Sequence, residues 1–150
     1  MANWPLRDVE ILIESTLADD SFIKTKQGVT TGKARVANTR VPRDPINYSP
    51  YVYFYCIPGP VARGNGNKIV QWNPDYDVEV RTNGAPTTDS EATVDRIVEL
   101  MTMTSRLTAN GLWAVSSVMT KEITQVEQGE STEVYYMRRG GTFKLQVVRA

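Results

Sequence analysis

The stretch Tyr51–Ile57, with the sequence YVYFYCI, constrains the fold of this chain more than any other segment. Its β-branched and aromatic residues predict a β-strand. A strand with one solvent-facing side alternates apolar and polar side chains, because successive side chains point to opposite faces. This strand does not alternate, so both of its faces need a cover. We expect Val52, Phe54 and Cys56 to face the core beneath helices.

The other side of the same strand carries three tyrosines, Tyr51, Tyr53 and Tyr55. A tyrosine ring is readily buried, while its hydroxyl can stay hydrated or pair across an interface. We therefore expect these three side chains to face either a neighbouring subunit or an arm of the same chain that folds back over them.

Apolar periodicity predicts two helices, over about residues 3–18 and about residues 88–107. Asn3 can cap the first, and the second begins at a capping box with Thr88 at the N-cap and Glu91 three residues later. The first helix has a single apolar stripe, formed by Leu6, Val9, Ile13 and Leu17. Two helices with single apolar stripes can cover one face of a sheet. The other face of the sheet must then be covered by something else.

Strands are predicted over about residues 51–82 and about residues 112–148, with turns at Gly64–Asn67 and at Gly140-Gly141. Because strands cluster in runs between the helices, the pattern predicts an α+β fold with a mostly antiparallel sheet and two helices packed on one face. The length of 150 residues favours a single domain.

Residues 24–50 are predicted to form a long basic arm or loop, with six basic residues, one acid and three prolines. Residues 75–99 carry seven acids and two basic residues. Opposite charges on two segments of a neutral chain allow head-to-tail contact between copies, which can close into a ring. A solvated loop and contact with DNA in the ring lumen are the alternatives. The candidate interface residues are Lys33, Arg35, Arg40 and Arg43 on the basic side, and Asp75, Asp77 and Glu79 on the acidic side.

The composition argues against catalysis, because the chain has no histidine and one cysteine. Histidine-dependent nucleophile pairs and multi-cysteine zinc sites are thereby excluded. Asp75, Glu79 and Arg81 faintly resemble the carboxylate pattern of a metal-dependent nuclease, but arginine cannot replace its lysine as a base. Asp75, Asp77 and Glu79 also fit the solvated side of a strand. We expect no enzyme activity, metal, cofactor, membrane span or secretion signal.

Three segments resemble the tail terminator, or tail completion, proteins of long-tailed bacteriophages. They are the N-terminal helix LRDVEILIESTLADD, the strand-and-helix block DYDVEVRTNGAPTTDSEATVDRIVELMTMTSRL, and the closing hairpin that ends in GGTFKLQVVRA. The resemblance implies a ring, typically hexameric, that caps the finished tail tube and provides the docking surface for the head or neck. It implies assembly in the host cytoplasm and a place in the virion tail or neck. A neck connector, a tail-tube component and a nucleic-acid-binding module remain alternatives.

Overall fold

The computed structural model describes residues 4–38, 50–83, 87–102, 107–128 and 135–150. These residues form three helices and eight strands, and the fold is α+β with a mostly antiparallel sheet, as the sequence predicts. The helices are α1 (Leu6–Ala18), α2 (Ser21–Lys26) and α3 (Thr88–Met101). The strands are β1 (Val36–Asn38), β2 (Tyr51–Ile57), β3 (Val61–Arg63), β4 (Ile69–Trp72), β5 (Asp75–Asn83), β6 (Leu107–Ala109), β7 (Trp113–Gln128) and β8 (Tyr135–Arg149).

Strand β8 is the centre of the sheet. Strands β5 and β4 pair with successive parts of one edge of β8, and β7 pairs with the other edge. The strands β4 and β5 follow one path that is interrupted at Asn73-Pro74, because proline lacks the N–H that a ladder needs. Strands β2 and β3 likewise follow one path, which is interrupted at residues 58–60. In this path β2 pairs with β5, and β3 pairs with β4. The sheet continues outward through β2 to β1, the one parallel pair among the described strands.

Gly140 and Gly141 lie inside β8, where neighbouring strands approach closely. A Cβ atom on Gly140 would stand 2.0 Å from the carbonyl oxygen of Val78, so only glycine allows this approach of β8 to β5. The neighbouring strand β7 has a bulge between Met119 and Lys121, at the level of these glycines. The predicted turn at Gly140-Gly141 is therefore wrong, because both glycines lie within one continuous strand.

The helices cover one face of the sheet. Val9, Ile13 and Leu17 of α1 are fully buried, as their spacing predicts, and so are Ile97 and Met101 of α3. The side of β2 that was expected to face the core does so. Val52 and Phe54 are fully buried, and the half-buried Cys56 packs against the same cluster.

The ends of the helices differ from the prediction. Pro5 occupies the N-cap position of α1, and the predicted cap Asn3 lies outside the described residues. Helix α3 is capped by Thr87, whose hydroxyl accepts a hydrogen bond from the N–H of Ser90 at 3.0 Å. The helix ends at Met101, and Leu107, the predicted end of the helix, begins the short strand β6 instead.

The predicted basic arm starts with a helix that the sequence pattern missed. Asp20 caps α2 by accepting from the N–H of Ile23 at 3.1 Å, so Lys24 and Lys26 are helical. Within the arm, residues 36–38 form the short strand β1, which pairs with β2. Residues 39–49, and with them Arg40 and Arg43, lie outside the described residues.

Candidate subunit interface and the tyrosine face

The side of the sheet opposite the helices carries the tyrosines of β2, and we call it the tyrosine face. Its side chains form rows across three strands, because β2, β5 and β8 pair in register. Each row starts at a tyrosine of β2, crosses β5 and ends on β8. The rows are Tyr51–Arg81–Arg138, Tyr53–Glu79–Gly140 and Tyr55–Asp77–Thr142.

Arg138 and Glu79 form the centre of this face. The guanidinium of Arg138 meets the Glu79 carboxylate through two bonds, Nε to Oε1 and Nη2 to Oε2, each 2.9 Å. The hydroxyl of Tyr53 accepts a further bond from Nε at 2.9 Å, and Gln125 on β7 accepts one from Nη1 at 3.1 Å. Two parallel charge-assisted bonds fix both position and orientation, so this pair ties β5 to β8.

Asp77 is held in a similar way. The hydroxyl of Tyr55 donates to Oδ2 at 2.5 Å, and the hydroxyl of Thr142 donates to Oδ1 at 2.6 Å. The three tyrosine rings stack along β2, with centroids 6.1 Å apart for Tyr51 and Tyr53, and 6.5 Å apart for Tyr53 and Tyr55. The face is therefore built from stacked aromatic rings and from two carboxylates that accept hydrogen bonds within the chain.

Burial changes the acid–base behaviour of the tyrosines. It raises the pKa of Tyr51 to about 12, against a smaller opposing effect of Arg81. Burial and the hydrogen bond to Asp77 raise the pKa of Tyr55 to about 12 as well. The pKa of Tyr53 is also raised, first by burial and then by the negative charge of Glu79. At neutral pH these three hydroxyls therefore keep their protons.

The structure places most of the tyrosine face inside a single chain. Tyr51 is 1% exposed, Tyr53 is 6% exposed and Glu79 is fully buried, so their own chain covers them. The interpretation of Asp77 and Glu79 as the solvated side of a strand is wrong. The acids of this strand were identified from the sequence, but their partners Arg138 and Thr142 were not, because no local pattern connects residues so far apart in the chain. Contact between these residues and a second copy stays a prediction.

Asp75 stands apart from the other acids of β5. It is half-buried and lies opposite Lys144 of β8, at the end of the strand. Beyond it the tyrosine face opens into a groove with a volume of about 500 Å³. The groove is lined by Asn73, Ser116, Val118, Lys144 and Gln146, among others.

Several charges that the sequence assigned to contact between copies are paired within the chain. Lys26 of the basic arm meets Asp89 at 3.1 Å, and Arg139 meets Glu91 at 2.5 Å. The acidic segment on α3 therefore faces basic residues of its own chain. The candidate residue Lys33 lies 3.6 Å from Asp19, with 70% of its side chain exposed.

Arg35 is positioned through its backbone by Gln27. The N–H of Arg35 donates to Oε1 of Gln27 at 2.7 Å, and Nε2 of Gln27 donates to the carbonyl of Arg35 at 2.9 Å. The same Nε2 also donates to the carbonyl of Pro50 at 3.1 Å. The Gln27 side chain thus connects the residue before β1 to the residue before β2.

Metal binding and membrane insertion each depend on a particular set of residues. Among those that the structure describes, no group of three or more His, Cys, Asp and Glu side chains stands close enough to hold a metal ion. No helix in the described ranges combines the length and the apolar character that a bilayer crossing requires. Cys56 is half-buried, and burial raises the pKa of its thiol.

Comparison with known proteins identifies the fold. No protein-family model matches the chain, and no curated protein sequence matches it. Solved structures do match. One that carries no functional name shares 18% identity over 95% of this chain and 94% of its own, with a TM-score of 0.61. Another, from the virion of a native gene transfer agent particle, shares 15% identity over 92% of each chain, with a TM-score of 0.52. At these identities the likeness establishes a shared fold.

Proposed function

We propose that this chain is a structural component of a phage-type virion, and that its specific role is that of a tail terminator. One observation carries the proposal: the chain shares its fold, over 92% of both lengths, with a chain of a gene transfer agent virion. The resemblance of the N-terminal helix, the strand-and-helix block and the closing hairpin to terminator proteins supports the finer assignment.

The proposed mechanism is surface capping. A growing tail tube ends in a surface that accepts the next ring of subunits. A terminator ring matches that end with one side and presents a different surface on its other side, which stops further addition and docks the head or neck. Head-to-tail contacts between identical subunits close into such a ring. Contacts that persist in a virion should be larger and more apolar than those of transient complexes.

Removal of the gene from the phage-like element that encodes the chain tests the proposal. Loss of a terminator should leave tails of uncontrolled length beside filled heads without tails, and the gene supplied from a plasmid should restore both. Tails of normal length beside unattached heads would identify a connector instead. Complete loss of tails would identify a tube component, and intact infectious particles would contradict a virion role altogether.

A further inference from the structure

The basic side chains of this protein form two groups that differ in their surroundings. Those of the first group lie on the basic arm, on α3 and near the start of β8, and they meet acids of their own chain. Their ion pairs are Lys26–Asp89, Lys33–Asp19, Arg96–Asp20, Arg138–Glu79 and Arg139–Glu91. The positive charge of this first group is therefore largely neutralised within the chain.

The second group lies on segments of the sheet that contain no acid. Residues 57–73, 107–121 and 142–150 carry five basic residues and no acidic one. None of the five forms an ion pair with any residue that the structure describes. All five are exposed, and we call them the cationic group: Arg63, Lys68, Lys121, Lys144 and Arg149. This part of the sheet has a positive charge that the described part of the chain does not neutralise.

Two members of the cationic group stand on the side of the sheet that the helices leave open. Lys121 lies opposite Thr142, whose hydroxyl belongs to the tyrosine face. Lys144 lies in the next row, opposite Asp75 of β5, with which it forms no ion pair. Glu122 follows Lys121 in β7, but its side chain points to the opposite side of the sheet, because successive side chains of a strand alternate.

The other three members lie around the start of β4. Arg63 lies opposite Ile69 in the pairing of β3 with β4, and its Nη1 donates to the carbonyl of Asn67 at 2.9 Å. Nε of Arg149 donates to the carbonyl of Ile69 at 3.0 Å. Lys68 is the residue that precedes β4. Backbone carbonyls thus position both arginines without adding a formal negative charge.

The groove of about 500 Å³ lies between these two sets of cations. Its lining residues Lys144 and Gln146 follow β8 in the direction of Arg149. From Lys144 to Arg149 the strand advances roughly 17 Å. Asn73 and Ser116 also line the groove, so amide and hydroxyl groups lie beside the positive charges.

This combination of groups suits the backbone of a nucleic acid. Phosphate oxygens are bound by lysine and arginine, and also by the hydroxyl and amide groups of serine, asparagine and glutamine. Each strand of duplex DNA advances about 3.4 Å for every phosphate, so roughly 17 Å of surface corresponds to about five phosphates of one strand. The spacing and the number of the cations therefore match a short length of one DNA strand.

We propose that the cationic group binds the phosphate backbone of duplex DNA. Lys121 and Lys144 meet it on the open side of the sheet, and Arg63, Lys68 and Arg149 meet it at the start of β4. The contact is independent of base sequence, because phosphates carry no sequence information. This inference goes beyond the capping role, and it concerns the single chain whether or not a ring forms.

Fluorescence anisotropy with short labelled duplexes of two unrelated sequences tests the proposal. The wild-type chain should bind both duplexes equally. Its affinity should fall with salt, with a slope of about −4 in a plot of log K against log salt concentration, because about five counterions are released. A wild-type chain that binds neither duplex at about 100 μM protein and low salt would overturn the inference.

Two variants locate the contact, and a third is the control. K121Q/K144Q and R63Q/K68Q should each weaken binding at least about fivefold and reduce the salt slope by about 2, because each removes two phosphate contacts. K26Q/K33Q removes the same formal charge from lysines that have acidic partners, and it should bind like the wild type. Equal losses in all three variants, with circular dichroism showing folded chains, would overturn the inference, because binding would then follow net charge alone.

Poly-glutamate distinguishes DNA from an acidic protein surface as the partner. It should compete at least about tenfold less well than unlabelled duplex at equal total charge, because duplex DNA carries its charges at a higher linear density. Poly-glutamate that competes equally well would overturn the assignment to DNA and indicate an acidic protein partner. None of these outcomes bears on the capping role, which is judged by the length of the tails.

Discussion

Arg138 and Glu79 form a two-bond ion pair beneath the tyrosines, although they are 59 residues apart in the sequence. The Glu79 side chain is fully buried, and that of Arg138 is 17% exposed. The buried Glu79 carboxylate is cut off from water, so its charge depends on the guanidinium of Arg138. The pair connects β5 to β8 on the face that the helices do not cover.

Removal of one partner of this pair should destabilise the chain strongly. E79Q keeps the shape of the side chain but leaves the Arg138 charge without its carboxylate, and we expect a loss of roughly 3 kcal/mol in the free energy of unfolding. Equilibrium urea unfolding measures this loss. The matched control is E99Q, because Glu99 pairs with Arg96 while 68% exposed and should contribute less than about 1 kcal/mol. Equal losses in the two variants would contradict the buried role of Glu79.

Gly140 and Gly141 of β8 give a second prediction, because a side chain added at each position would contact different atoms. A Cβ atom on Gly140 would meet backbone, whereas one on Gly141 would meet the Met119 sulfur at 2.9 Å, which is part of a flexible side chain. G140A should therefore cost roughly 3 kcal/mol or more, and G141A about 1 kcal/mol. Thermal unfolding of both variants checks the order. A G140A protein as stable as the wild type would show that β8 does not approach β5 so closely.

The raised pKa values of the tyrosines predict a step in alkaline titration. A raised pKa means that the folded state holds the proton more tightly, so this stabilisation is complete below the ordinary tyrosine pKa of about 10 and is lost as the pH rises. For Tyr51 and Tyr55 this stabilisation continues to decrease until about pH 12. We expect the late part of the tyrosinate absorbance to appear together with unfolding, measured by circular dichroism.

A variant and a denatured control complete this titration. Y55F should remove one late-titrating group and leave the early groups unchanged. In concentrated guanidinium chloride the late phase should disappear, because the tyrosines are then hydrated. A folded wild-type chain whose tyrosines have all ionised by about pH 11 would contradict the buried arrangement.

The positions of the strands were predictable from the sequence, and the environment of their second face was not. Alternation in the segment DYDVEVRT identified β5 and its inward side chains Tyr76, Val78 and Val80. The same alternation predicted that Asp77 and Glu79 lie on a solvated side of the strand. Charged residues recur at every second position whether that side is exposed to solvent or buried in ion pairs. Only the pairing with β8 distinguishes the two, and that pairing depends on residues far along the chain.

Local ambiguity explains the errors at the ends of elements. Thr87 and Thr88 both have the side chain of a helix cap, and either can start a capping box with the residue three positions later. The structure uses Thr87 and Ser90. The pair Gly140-Gly141 has the composition of a turn, yet glycine is also required where two strands approach closely. Composition alone cannot separate these two requirements, so one strand was predicted as two.

Asp20 gives a prediction for acid stability. Burial alone would raise its pKa, but the hydrogen bonds from Arg96 and from the N–H of Ile23 outweigh burial and hold the pKa below 3.8. The folded state therefore binds this proton less tightly than the unfolded state, so the stabilisation is present above about pH 4 and is lost as the pH falls through the lowered pKa. D20N should lower the midpoint of thermal unfolding at neutral pH and flatten its decrease below about pH 4. D95N removes one exposed charge from α3 as the control, and a D20N profile parallel to that of the wild type would contradict the role of Asp20.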